Sequence, residues 1–240
     1  VSDKCDVRLK RLGFQLASSL AYGWLAPLYE AVARLFSNGE WHTWRRQAVV
    51  VLAARTALTG VQPRILEVGC GTGALLIEMT VAGSSVIGLD RSAPMLRAAA
   101  QRLRREGSPP VILVQGMAQA VPLPAHSVDC IVLTFPTAYV FDLRTWQEFH
   151  RLLTPGGWVI WVDGGEIDRP NLIARLLQAL LSPDLDAQRL MLAMPAHVRG
   201  LGFAASWQTH ELPSGRVSIL TAQTGAYEQE GPLSTSDGGP

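Results

Sequence analysis

Cysteine is scarce in this chain. The three that occur, Cys5, Cys70 and Cys130, form no Cys-x-x-Cys pair and no Cys/His cluster. That counts against a disulfide framework and leaves zinc ligation without support, so the expectation is reduced thiols, a cytoplasmic protein and no metal. An excess of one charge is also missing: 21 basic and 20 acidic side chains leave a net charge of +1. No general field therefore draws nucleic acid to the surface. Nor is there a run of about 18 or more uncharged apolar residues flanked as a membrane span would be. The stretch Leu12 to Leu28, behind Lys4, Arg8, Lys10 and Arg11, has the layout of a signal peptide. Tyr22, Trp24 and Pro27 interrupt it, and an amphipathic helix packed on the core is the preferred reading.

What is present suffices for one large α/β domain with an appendage: 240 residues, 48% of them hydrophobic. Three zones are expected. Residues 1–60 read as helical, residues 61–224 as an α/β domain, and residues 225–240, rich in Gly, Ser and Pro, as a tail without fixed structure. In the first zone Trp44, Ala48, Val51, Leu52 and Arg55 recur at helical spacing. They predict a helix over Trp41 to Leu58, ended by Gly60 and Pro63.

In the second zone strands are predicted at Arg64–Val68, Ser85–Leu89, Val111–Gln115, Val128–Thr134 and Trp158–Val162. Helices are predicted at Ala74–Val81, Ala93–Glu106 and Leu143–Leu153, the last stopped by Thr154-Pro155-Gly156-Gly157. Leu172–Leu181 reads as a further helix, and Phe203–Thr209 and Val217–Thr224 as two strands able to pair antiparallel. Alternating strands and helices imply a doubly wound, mostly parallel α/β sheet, seven-stranded once the last two strands are added.

The densest signal is Ile65-Leu66-Glu67-Val68-Gly69-Cys70-Gly71-Thr72-Gly73. An apolar strand meets an acid and then a glycine at every second position. The pattern suits a tight strand-to-helix turn whose backbone approaches a ligand. Glu67 to Gly73 resembles the nucleotide loop of class I S-adenosylmethionine (SAM)-dependent methyltransferases. The resemblance implies their Rossmann-like fold and SAM as cofactor.

About twenty residues beyond the loop, Gly88-Leu89-Asp90-Arg91-Ser92 places an acid where nucleotide-binding α/β folds bind ribose hydroxyls. The resemblance assigns that role to Asp90, beside Arg91. It assigns the adenine side to the loop after strand three, where Met117 stands in place of the usual acid. Adenine is then expected to rest on Met117 and bond to backbone near Ala118. Thr134 and Phe135, at the carboxyl end of strand four, are candidates for the methionine end of the cofactor and the reaction face.

The cofactor set is thus Glu67, Gly69, Cys70, Gly71, Thr72, Gly73, Asp90, Arg91, Met117, Ala118, Thr134 and Phe135. Gly69, Gly71 and Ala74 also satisfy the dinucleotide fingerprint, which leaves an NAD(P)-dependent oxidoreductase as an alternative. Glu67 favours SAM, because a carboxylate attracts an ammonium and repels a pyrophosphate. A SAM-binding module without catalysis is the other alternative, supported by Met117.

Ala26-Pro27-Leu28-Tyr29-Glu30 and Trp44-Arg45-Arg46 resemble the leading helices of quinone-biosynthesis C-methyltransferases and related phospholipid N-methyltransferases. The chain lacks the Phe-Gly…Arg-Asn element of the quinone enzymes after strand four, having Thr134-Phe135-Pro136-Thr137 instead. The resemblance implies methyl transfer to a small, largely apolar acceptor of quinone, phenol or lipid type. Tyr22, Trp24, Tyr29, Trp41 and Trp44 suggest that the front segment is an apolar lid. Its basic excess suggests either peripheral contact with an anionic membrane or a solvated face, the latter preferred. Catalytic candidates are His42 as the proton acceptor and Tyr29 as an orienting group.

Overall fold

The computed structural model describes residues 37, 39–168, 170–172, 175 and 185–225. The predicted signal-like stretch, the aromatic positions 22, 24 and 29, nearly all of the Leu172–Leu181 helix and the tail after 225 lie outside these residues.

The first described helix, α1, spans Trp41–Thr59 and buries Trp44, Ala48 and Leu52 along one stripe. Ser37 Oγ accepts the Trp41 amide at 2.9 Å to open it. Gly60 closes it in the left-handed conformation, φ 69°, its amide bonded to Thr56 O. Then follow β1 (Arg64–Val68), α2 (Ala74–Val81), β2 (Ser85–Asp90), α3 (Ala93–Arg105), β3 (Ile112–Gln115) and β4 (Val128–Thr134). A 3₁₀ turn (Ala138–Phe141), α4 (Leu143–Leu152), β5 (Leu153–Ile167), α5 (Leu185–Arg199), β6 (Phe203–Leu212) and β7 (Gly215–Thr224) complete the described order.

The seven strands form one sheet in the order β3-β2-β1-β4-β5-β7-β6. The first five are parallel, and β7 runs against both of its neighbours. The order reverses between β1 and β4, which opens a crevice over their carboxyl ends, as in Rossmann-like sheets. Apolar side chains cover both faces. One core gathers Trp146, Phe149, Trp161 and Phe203 under α4 and α5; the other gathers Trp44, Ile65, Leu76 and Met79 under α1 and α2. β1 and β4 are nearly continuous apolar runs for this reason. α1 is the described part of the helical N-terminal lid.

Three expectations need correction. β5 is not five residues long: it runs from Leu153 to Ile167, because Leu153 pairs with Val128 and Gly165–Ile167 pair with β7. The preceding helix ends at Leu152, since Leu153 is already extended at ψ 139°, so Thr154-Pro155-Gly156-Gly157 belongs to the strand. α5, with Pro195 inside it, was not foreseen.

Candidate functional site

β1 and β2 run in register, Glu67 beside Gly88 and Val68 beside Leu89, so both strands deliver an acid to the same end of the sheet. Between β1 and α2 the loop is tied down from within. The amides of Gly69 and Cys70 both donate to Leu89 O, at 2.8 and 3.0 Å, and the Gly73 amide donates to Cys70 O at 2.9 Å. Gly71 donates to Asp90 Oδ2 at 2.9 Å, while Ser92 donates to Asp90 Oδ1 at 2.8 Å. Gly69, Gly71 and Gly73 have φ of 77°, 53° and 75°, a region that a side chain makes costly. Gly88 is needed for another reason: a Cβ there would lie 2.8 Å from Leu76 and 3.0 Å from Cys70 Sγ.

The loop floors a cleft into which Glu67, Gly69, Cys70, Gly71, Thr72 and Thr134 all open. Six of the sequence-predicted residues thus meet at one place. The cleft's other wall is α1, which contributes Trp41 and Arg45. Neither had been given a cofactor role. Their spacing of four residues puts them on one helix face, a signal readable only once the face is known. Trp41 stacks on Phe135, ring centres 3.9 Å apart, with Trp44 tilted against the same ring at 6.3 Å. Phe135 holds φ 49°, so the chain turns sharply as it leaves β4.

His42 is one residue further round α1, about 100° from Trp41, and is absent from the cleft wall. Its Nε2 lies 3.3 Å from Glu78 of α2, whose other oxygen takes Arg46 at 2.8 Å. It opens instead on an outer groove of α1 with Thr43, Arg46 and Gln47.

Electrostatics centre on Glu67. It is buried, and burial pushes its carboxyl up to about 8; the Arg45 charge opposes this and Asp90 and Glu78 add to it. Glu67 Oε2 and Arg45 Nε are both buried without a hydrogen-bond partner among the described residues. Burial also raises Asp90, against the pull of the Ser92 and Gly71 amides and of Arg91. With two amides taken, each Asp90 oxygen keeps a lone-pair direction for a further donor. The Cys70 thiol is pushed up by burial and by Glu67 and Asp90, so it stays protonated and is no nucleophile.

In the loop after β3, expected to border adenine, Ala118 is buried and Met117 is 60% exposed, the two within a tight turn closed by the Met117–Ala120 bridge. The Arg91 side chain is exposed, and its carbonyl accepts Gln115 Nε2 at 3.3 Å. Two supports went unread in the sequence. Arg102 of α3 donates to Thr72 Oγ1 at 2.8 Å, and Tyr139 of the 3₁₀ turn donates to Val68 O at 3.2 Å beside Gly69.

Residues 65–157 match the family described as a methyltransferase domain. A ubiquinone/menaquinone biosynthesis C-methyltransferase from Syntrophotalea carbinolica is 35% identical over 152 residues, 62% of this chain and 61% of that protein. A demethylmenaquinone methyltransferase from Thermus thermophilus is 32% identical over 142 residues, 58% of this chain and 62% of that protein. The chain thus spans about three fifths of the length of these curated relatives. Among solved structures, a SAM-dependent methyltransferase from Methanosarcina mazei shares the fold of the methyltransferase domain. It superposes with a TM-score of 0.52 at 19% identity, over 68% of this chain and 92% of that one.

Proposed function

We propose that this protein binds SAM in the cleft and transfers its methyl group to a small, largely apolar acceptor of quinone, phenol or lipid type. One observation carries the reading: a carboxyl oxygen of Glu67 and a guanidinium nitrogen of Arg45, both buried and without partner among the described residues, belong to side chains that border the same cleft. A zwitterionic amino-acid group answers both, its ammonium at Glu67 and its carboxylate at Arg45. A pyrophosphate answers neither. It would face Glu67 and Asp90, and four of the loop amides it would need are already bonded within the protein.

Asp90 is suited to accept from two ribose hydroxyls, and Ala118 and Met117 to border the adenine. SAM when bound supplies a methyl carbon already activated on sulfonium sulfur. The protein has to hold the acceptor in line with it and keep water out. The Trp41–Phe135 stack above Thr134 supplies an apolar cover. The two relatives named for quinone biosynthesis support the acceptor class.

Calorimetry with SAM, S-adenosylhomocysteine and NAD(H) tests the cofactor: SAM and its product bind and NAD(H) does not. Tight NAD(H) binding without SAM binding would overturn the reading. Transfer of label from methyl-labelled SAM to a panel of quinols, phenols, lipids and amines tests the activity. Label appearing in none of them would leave a domain that binds SAM without acting on these classes.

A further inference from the structure

We propose that Asp163 is the group that takes the acceptor's proton during methyl transfer, an assignment that rests on the methyltransferase reading above. β4 and β5 are parallel neighbours with Thr134 opposite Val162, and the Phe135 amide donates to Val162 O at 2.8 Å. Asp163 follows Val162. Its backbone is therefore about one strand spacing, 4.8 Å, and one residue from cleft-lining Thr134, at the carboxyl edge where ligands of such sheets sit.

The chain is irregular at this point. Val162 pairs with Ile219 and Gly165 with Val217, so three steps along β5 face two along β7. This is a β-bulge, a device that re-aims a side chain and is enriched beside active sites. The bulge carries Asp163 and Gly164, and a Cβ on Gly164 would meet nothing within 4 Å. The space beside the carboxylate is therefore open rather than filled by described residues. Gly165, by contrast, is pressed against Trp44 so closely that no side chain fits.

Four carboxylates around the sheet have cationic partners: Asp129 with Arg64, Asp142 with Arg144, Glu148 with Arg151 and Glu166 with Arg216. Asp163 has none among the described residues. Its Oδ1 accepts Trp161 Nε1 at 3.2 Å, and the Gly164 amide bonds to the same carboxylate. Trp161 in turn meets Phe141 and Trp207 edge-on. The carboxylate is thus half-buried in an aromatic setting and uncompensated, and burial raises its pKa while the two hydrogen bonds lower it. No charged side chain contributes to that shift. Tyr139, a protic group on the neighbouring 3₁₀ turn, donates its hydroxyl to Val68 O. A carboxylate raised by burial and held by two donors is suited to removing a phenolic or quinol proton.

In the step, the acceptor's proton passes to the Asp163 carboxylate. The acceptor's electron pair forms the new bond to the methyl carbon, and the pair of the breaking C–S bond stays on sulfur. The proton then leaves the Asp163 carboxyl for water.

Asp163→Asn keeps the shape and the bond to Trp161, and Asp163→Glu keeps the acid. Two measurements test the assignment. The first is single-turnover methyl transfer to a prenylated naphthoquinol as a function of pH. Asp163→Asn is expected to bind SAM as the wild type does, to lose about 100-fold or more in rate, and to lose the limb that rises with pH. Asp163→Glu is expected to restore part of both.

The second needs no turnover: absorbance titration of para-nitrophenol bound in the presence of S-adenosylhomocysteine. The Asp163 carboxylate opposes a neighbouring phenolate, so the bound probe ionises at higher pH on the wild type than on Asp163→Asn. An unchanged rate and pH profile, or a probe that titrates identically on both proteins, overturns the assignment. Where the wild type does not methylate the naphthoquinol, the probe titration decides. A wild type that fails to bind SAM overturns the methyltransferase reading instead.

Discussion

At Glu67 a carboxyl group is buried under a glycine loop and faces Arg45 across the cleft. Its pKa of about 8 lies above the ordinary 4.5, so between these values the folded protein keeps a proton that the unfolded chain has released. Stability then falls as pH rises through that window and levels off above about 8. Glu67→Gln should flatten this slope in thermal melts between pH 5 and pH 8, roughly the span of the two values. On the proposed reading, SAM places an ammonium at the same group, which would favour its ionised form. Binding at neutral pH should therefore release a proton and strengthen as pH rises toward about 8. Calorimetry in two buffers of different ionisation enthalpy counts that proton, and a count of zero would put the ammonium elsewhere. At Gly69, φ 77° strains any side chain, and an added Cβ would lie 3.2 Å from the Tyr139 hydroxyl, which would have to shift. Gly69→Ala should cost about 1–2 kcal/mol in stability, read from denaturant midpoints. Glu67 and the glycines were legible because their roles follow from local pattern. Arg45 was not, since its partner is 22 residues away and nothing in a helix marks which face meets a cleft.

Among the elements, α3 shows a helix serving a loop that it does not adjoin. Ser92 caps it, its Oγ accepting the Met95 amide, and Arg102 one turn from its end reaches back to Thr72. Arg102→Ala should leave the fold intact and weaken SAM binding about 5- to 30-fold, equivalent to ~1–2 kcal/mol for a charge-assisted hydrogen bond. Equal affinity would mean that the loop holds its shape unaided. α4 acts likewise on the loop after β3: Glu148 accepts the Val121 amide at 2.7 Å, and Arg151 donates to Leu123 O and Val121 O. Element positions were largely legible, β1, α2 and β4 to the residue, because their apolar runs end at Gly or at polar residues. β5 was misjudged because its length is set by partners in β4 and β7, which a local window does not contain.

For the whole molecule, Arg64 ties β1 to β4 at the amino ends. Its guanidinium and amide all reach Asp129, at 2.8–2.9 Å, and Thr154 adds a bond from β5. Asp129 is thereby held at about 2, below the ordinary 3.8. That contribution is present above pH 3.8 and is lost as pH falls through 2, so Asp129→Asn should lower stability at neutral pH and make no difference at the acid limit. The Arg64 side chain is exposed and that of Asp129 partly so, which keeps the neutral-pH loss small. Urea titrations at pH 7 and near pH 2 check both parts.

The amino-acid order alone determined the alternation of strand and helix, the glycine loop and the acids at two strand ends, since these rest on backbone geometry over a few residues. Only the tertiary structure decided that Arg45 faces Glu67, that His42 turns to Glu78 and that Asp163 stands in a bulge without a cation. Each of these depends on the angle at which distant segments meet, and a side-chain pattern records periodicity but not that angle.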